Sequence, residues 1–203
     1  MGNEFGQPTS KLGITSIAST TPNIEKNEIE KLYRLIYDSQ VQSDTPDILT
    51  RETFNSCLKQ IEKFTPSDSE LFVQLFTLFD NEGHDTVDFK SFFTGSSICL
   101  TSQSASEKLK WGLSIFDSGT DCARGDVKKL LTAINQSAAF FGDPVLPSNE
   151  IDLLTVEMFK EVPSVAGRIS QDECVTYLLK HPLVVQFLTG EGVVKFGSAD
   201  LQL

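Results

Sequence analysis

Apolar residues recur along this chain at helical spacing, in paired stripes separated by polar stretches. Ile29, Leu32, Tyr33 and Ile36 form one stripe, and Phe54, Cys57, Leu58 and Ile61 the next. Phe72, Leu75, Phe76 and Phe79 form a third that stops at Asp80, and Phe89, Phe92 and Phe93 resume the pattern. Leu109, Leu113 and Phe116 precede Asp117, with Val127, Leu130, Leu131 and Ile134 beyond it. Ile151 and Leu154, then Cys174, Tyr177 and Leu178, make the last pair. Steps of three and four place each set on one face of a helix. The pattern therefore predicts four helix–loop–helix units. Terminus signals agree with it. Thr65-Pro66 puts a cap before a proline at the first helical position, and Ser104 and Glu107 have capping-box spacing. Leu146-Pro147-Ser148 opens the helix that carries Ile151, and Gly142 ends the helix before it.

The polar stretch after Phe79 is the richest in chemistry. Asp80, Glu82, Asp85 and Asp88 are oxygen donors suited to a hard cation, in a loop whose layout is that of an EF-hand. Counted from Asp80, the candidate calcium ligands are Asp80, Glu82, the Thr86 carbonyl and Asp88, the last through water. Val87 sits where an apolar residue pairs with a neighbouring loop. Three positions depart from the pattern. His84 replaces an oxygen donor at the fifth, and Asp85 the turn glycine at the sixth, where its tolerance of left-handed backbone preserves the turn. Ser91 replaces the closing glutamate that normally gives two oxygens. A weak or vacant site is predicted, with calcium as the one possible cofactor.

The other three loops have lost more. Asp117 to Asp126 spans ten residues, too few for the usual twelve; read at twelve, the closing position is Lys128 and Arg124 falls near the apolar one. A loop starting at Val162 keeps Gly167, Ile169 and Glu173 at positions six, eight and twelve, yet Val162, Ser164 and Ala166 stand where carboxylates belong. In the first loop, irregular around Pro46, the closing equivalent is Thr53. The starts fall near 42, 80, 117 and 162, the last interval lengthened by the segment 142–148. This near-regular repeat predicts an all-α fold of four EF-hand-like motifs in two packed lobes, with short β pairing between loops. The divisions are an N-terminal arm (1–23), an N-terminal pair (24–100), a C-terminal pair with a final helix (101–189) and a tail (190–203). Residues 94–104 mark the lobe boundary and are too short and apolar for a free tether. Residues 182–188 are too apolar for water; they form either a last core helix or a plug in a partner groove.

With these motifs in place the chain resembles the family of calcineurin B, the plant calcineurin B-like proteins and the neuronal calcium sensors. The start MGNEFG is similar to that family's acylated N-terminus, FDNEGHDTVDFKSFF to its second hand, and YLLKHPLVVQFL to the stretch after its fourth. The resemblance implies a regulatory subunit or adaptor that grips a partner helix. It also makes Gly2 a candidate myristoylation site, although Gly6 stands where M-G-x-x-x-[ST] has Ser or Thr.

Composition narrows the picture. Against 17 Lys and Arg stand 28 Asp and Glu, a net charge of −11, which argues against nucleic acid and suits a basic partner. Only 2 Met accompany 15 Phe, so a stiff surface with few partners is expected rather than a promiscuous one. Cys57, Cys99, Cys122 and Cys174 are scattered and read as reduced thiols of a cytoplasmic protein. No apolar run is long enough for a membrane span, leaving an acylated Gly2 as the membrane contact. Zinc spacing, phosphate loops and nucleophile elbows are absent, and a non-enzyme is expected. The leading reading is an EF-hand adaptor that binds an amphipathic helix of a kinase, phosphatase or channel through a hydrophobic groove, with calcium affinity weak or lost. The alternative is a calcium-independent structural subunit of a cytoskeletal or axonemal assembly.

Overall fold

The computed structural model describes residues 24–41, 43–100, 103–117, 119–140 and 145–189. The arm with Gly2, the tail and Gly142 lie outside the described residues. Four helix pairs follow one another, each with a strand just before its second helix. They are α1 (Lys26–Val41), β1 (Ile48–Thr50) and α2 (Arg51–Leu58); α3 (Pro66–Phe79), β2 (Thr86–Asp88) and α4 (Phe89–Leu100); α5 (Ala105–Phe116), β3 (Asp121–Ala123) and α6 (Arg124–Phe140); and α7 (Ser148–Glu161), β4 (Arg168–Ser170) and α8 (Gln171–Leu178). A short helix, α9 (Pro182–Thr189), follows.

The strands pair two by two and antiparallel. Leu49 faces Val87 in one pair, and Cys122 faces Ile169 in the other. The fold is thus all-α and EF-hand-like, with loops joined by short β pairing. One expectation needs correction. Arg124 does not occupy the apolar pairing position of the third loop; it is the first residue of α6, and Cys122 takes that position. The loop is the ten-residue one, because Asp126 caps the helix by accepting from the Ala123 amide at 3.0 Å.

Both predicted caps form, and each is a capping box. Thr65 and Asp68 exchange bonds at the start of α3, and Ser104 and Glu107 do so at the start of α5, each cap being worth about 1 kcal/mol. Pro147 offers α7 no side-chain cap. The Asn135 amide of α6 holds that approach instead, accepting from the Leu146 amide at 2.7 Å and donating to its carbonyl at 2.9 Å.

Each lobe closes on its own core. In the first, Phe54, Phe72, Phe76, Phe92 and Phe93 are fully buried with Ile29, Leu32, Ile36 and Leu75. In the second, Leu109, Leu113, Val127, Leu130 and Met158 pack with Ile169, Cys122 and Cys174, and α9 adds Val184 and Leu188. The stretch marked as a boundary is mostly the end of α4, where Thr94, Ser96 and Ser97 are buried. Here α4 meets α6 without room for a side chain at Gly95: a Cβ would lie 2.6 Å from the Ala133 carbonyl and 2.5 Å from Phe79. Across the same seam Gln136 donates to the Leu78 carbonyl at 2.8 Å, and Phe93 and Trp111 meet edge to face.

Candidate functional site: the paired loops

The loop after α3 keeps EF-hand geometry at its start. Asp80 turns its carboxylate inward and accepts from the amides of His84 and Asp85, at 3.0 and 2.9 Å. Asp85, in place of the turn glycine, adopts the left-handed backbone expected of it, with φ 57°. The remaining candidate ligands are engaged separately. Glu82 lies outward against His84 Nδ1 at 3.1 Å. Asp88 accepts from the Ser91 amide at 2.8 Å, holding the first turn of α4. Thr86 stands in β2 opposite Thr50. Among the described residues no three His, Cys, Asp or Glu side chains gather into a group able to hold a metal ion. Asp80, Glu82 and Asp88 therefore do not form a calcium shell as they stand, and the residues present fit a calcium ion poorly.

What does reach the acids is an arginine. Arg51 begins α2, just past β1. Continuing the antiparallel register beyond Thr50 and Thr86 brings it opposite Asp85, and its amide donates to the Asp85 carbonyl at 2.9 Å. Its guanidinium donates to the Asp85 carboxylate at 2.5 Å, approaches Asp80 at 3.6 Å and lies over the Phe76 ring at 4.6 Å.

The C-terminal lobe repeats the theme with different residues. Arg168, the first residue of β4, donates to the Asp117 carboxylate and to the Asp121 carbonyl, the latter at 2.7 Å. Gln171, the first residue of α8, donates to the carbonyls of Gly119 at 2.8 Å and Asp117 at 3.4 Å. The oxygens that would surround a cation in the third loop thus accept N–H groups of the fourth hand. The Gly119 amide, followed by the Arg168 guanidinium, holds the Asp117 carboxyl below the usual carboxylate range. In the fourth loop Glu173 is committed to Ser170, whose hydroxyl donates to its carboxylate at 2.7 Å.

Arg51, Arg168 and Gln171 escaped the sequence reading, which searched for oxygen donors. The pattern did hold a signal for Arg51: pairing the apolar loop positions Leu49 and Val87 sets the register that puts it opposite Asp85. Arg168 precedes the apolar position of its loop by one, and only the fold brings it to Asp117.

Between the lobes a cleft of about 650 Å³ opens beside the second loop. Its floor includes Ile48, Phe79, Val87 and Ala133, and Glu82 and Lys129 stand among its polar lining. No helix among the described residues is long and apolar enough to cross a membrane.

No protein-family model matches the chain. It is 33% identical over 130 residues to a protein of Dictyostelium discoideum named as a recoverin family protein, an alignment covering 58% of this chain. The chain spans 56% of that relative's length.

Proposed function

We propose that this chain is an EF-hand regulatory or adaptor protein of the calcineurin B and neuronal calcium sensor type. It binds an amphipathic helix of a partner protein and depends little or not at all on calcium. The likeness to a recoverin family protein supports the sensor type, as does the four-hand fold with paired loops. The single observation that carries calcium independence is the set of N–H donors on the loop oxygens, with Arg168 and Gln171 on the third loop and Arg51 on the second. A guanidinium already supplies the positive charge that a loop of carboxylates needs, and its bonds lie within the chain.

Calcium titration calorimetry of the purified protein tests the first half. The expected result is no site tighter than about 10⁻⁴ M, at the weak end of EF-hand loops. Micromolar sites in two or more loops would overturn the reading. Crosslinking with mass spectrometry, run in chelator and in calcium, tests the second half. The same partner segment, amphipathic and helical, should be crosslinked in both conditions; a partner captured only with calcium contradicts it.

A further inference from the structure

The cleft between the lobes has a neighbour. A smaller hollow of about 370 Å³ lies between α6 and α7, lined by Arg124, Asp152, Thr155 and Val156. The two hollows share Gly125 and Lys128, so they run together across the start of α6 as one bent groove. One end rests on the paired strands of the N-terminal lobe and the other on α7. Along the cleft α6 contributes residues from Gly125 to Gln136, about 16 Å of helix. Both lobes build this groove, which sets it apart from any groove between the helices of a single lobe.

The walls are tied in place. Gln136 spans one end of the cleft, donating to the Leu78 carbonyl at 2.8 Å and to Asn81 Oδ1 at 3.3 Å, and an ion pair holds Lys128 against Asp152 of α7. Gly125 stands where the two hollows meet. It has no positive φ, and a Cβ added to it would meet nothing within 4 Å. Neither its backbone conformation nor its packing calls for glycine, which is a poor helix former. What a glycine supplies there is bare backbone that another chain can approach closely. The charges are opposites left apart. Glu82 and Asp88 stand on the N-terminal wall and Lys129 on the α6 wall. Among the described residues no ion pair joins the two walls, and Lys129 and Arg124 have neither an ion pair nor a hydrogen bond. Between the walls the floor is apolar, with Phe79, Val87 and Ala133.

We infer that this groove takes an extended segment of a partner protein, with an acidic side chain on Lys129 and Arg124, a basic one on Glu82 and Asp88, and an apolar one on the floor between them. Charge complementarity selects that occupant. A purely acidic segment meets repulsion at Glu82 and Asp88, and a purely basic one meets it at Lys129 and Arg124. Shape favours a chain over a compact ligand. A small molecule buries most of its surface in one hollow, whereas here the charged rims are exposed and the groove continues past Gly125 to α7. The backbone of an extended segment passes over Gly125 without meeting a side chain. Exposed charges of this kind set partner choice and encounter rate more than raw affinity, so the segment adds specificity and its binding weakens with salt.

A phage-displayed library of random peptides, each about twelve residues and so about 40 Å when extended, tests the groove. The library is panned on the full chain, and clones that also bind Gly125→Leu are subtracted, which removes ligands of any other surface. Open space surrounds Gly125, so this variant should fold with an unchanged or higher urea midpoint. Lys129→Glu, at an exposed position, is the second variant should the first fold poorly. Surviving peptides should carry an acidic and a basic residue on either side of an apolar one. Made synthetically and followed by fluorescence anisotropy, they should bind each variant about tenfold or more weakly than wild type. Exchanging the peptide's acid for lysine should restore most of the loss in Lys129→Glu, the mark of a direct pair. The inference is overturned if subtraction leaves no clone, if the survivors carry no charge, or if they bind Lys129→Glu as tightly as wild type. It is equally overturned if wild type sediments as a dimer that Gly125→Leu dissociates, since the occupant is then a second copy of this chain.

Discussion

The two lobes share one template and fill it differently. The N-terminal lobe uses aromatic rings: Phe54 stacks on Phe76 at 5.1 Å and meets Phe92 edge to face at 5.2 Å, and Phe79 meets Phe92 at 5.7 Å. Five fully buried phenylalanines occupy the space between its four helices. The C-terminal lobe is built mainly from Leu, Ile and Val, with Met158, Ala138 and two small thiols, and it takes in a fifth helix, α9. A helix pair whose own side chains are large closes unaided, whereas one lined by smaller residues borrows apolar volume from further along the chain. Native packing density requires the volume and leaves open where it comes from.

Removing α9 is the most severe way to break this comparison. Val184 and Leu188 are buried in the C-terminal core, and Lys108 Nζ, itself buried, donates to the Leu188 carbonyl at 3.0 Å. At roughly 1.5–3 kcal/mol per fully buried side chain, truncation before Pro182 should cost about 3–6 kcal/mol, before any loss at Lys108. Urea unfolding should show the midpoint falling accordingly, with the C-terminal lobe becoming protease-sensitive. A truncated protein with an unchanged midpoint would show α9 to be a detachable plug over a groove rather than core.

Single core substitutions sharpen the same contrast. Phe92→Ala removes a ring in contact with three others and should cost about 3–5 kcal/mol, against about 2–5 kcal/mol for Leu130→Ala in the other lobe. Denaturant titration of both variants compares them directly. If Phe92→Ala proves the milder, the aromatic cluster is not what holds the N-terminal lobe closed.

How far the chain could be read depends on the kind of information each feature needs. Helices, caps and loop pairing follow from local patterns: the stripe from Phe72 to Phe79, the Thr65-Pro66 cap, and apolar residues at Val87 and Ile169 that lie in the paired strands. The third loop resisted because its pairing residue is Cys122 in a shortened loop, and counting at twelve residues shifts the frame by two. The candidate site was legible only as a list of acids. Which of them face inward, and which cations meet them, is decided across strands and between hands. Arg168 is 51 residues from Asp117 and Gln171 is 52 from Gly119, so no window of local sequence joins them.

The loops allow a finer comparison. In the second loop the missing closing carboxylate is the chief defect, and in the third the oxygens are already engaged by the fourth hand. Ser91→Glu should therefore tighten calcium binding by about tenfold or more, since it returns a bidentate ligand. Arg168→Met should change stability little, as expected for a partly exposed ion pair, and should create no tight site, because Asp117 and Asp126 alone do not make a shell. Calcium calorimetry on both variants distinguishes the cases. Micromolar calcium binding by Arg168→Met would mean that the guanidinium alone had kept the ion out.

The smallest expected effects separate the lobes by pH. In the C-terminal lobe Asp117 and Glu107 have carboxyls held below their ordinary values of 3.8 and 4.5, Asp117 by the Gly119 amide and then Arg168, Glu107 by the Ser104 hydroxyl and amide. A carboxyl lowered on folding stabilises above its unfolded value and loses that contribution as pH falls through the folded one. In the N-terminal lobe Lys63 is raised above 10.5 by Glu25 and then Glu28. Its contribution is present below that value and disappears as pH rises through the folded one. Acid should therefore trim the C-terminal lobe and alkali the N-terminal one. All three groups are exposed, so the shifts should be small and weakened by salt. Urea midpoints of Asp117→Asn and Lys63→Met against wild type measure them. The Asp117→Asn deficit seen at neutral pH should narrow below pH 3.8 and persist at high pH, while the Lys63→Met deficit seen at neutral pH should narrow above pH 10.5. Deficits that stay constant across pH would show that these side chains act through shape and hydrogen bonding and not through their charge.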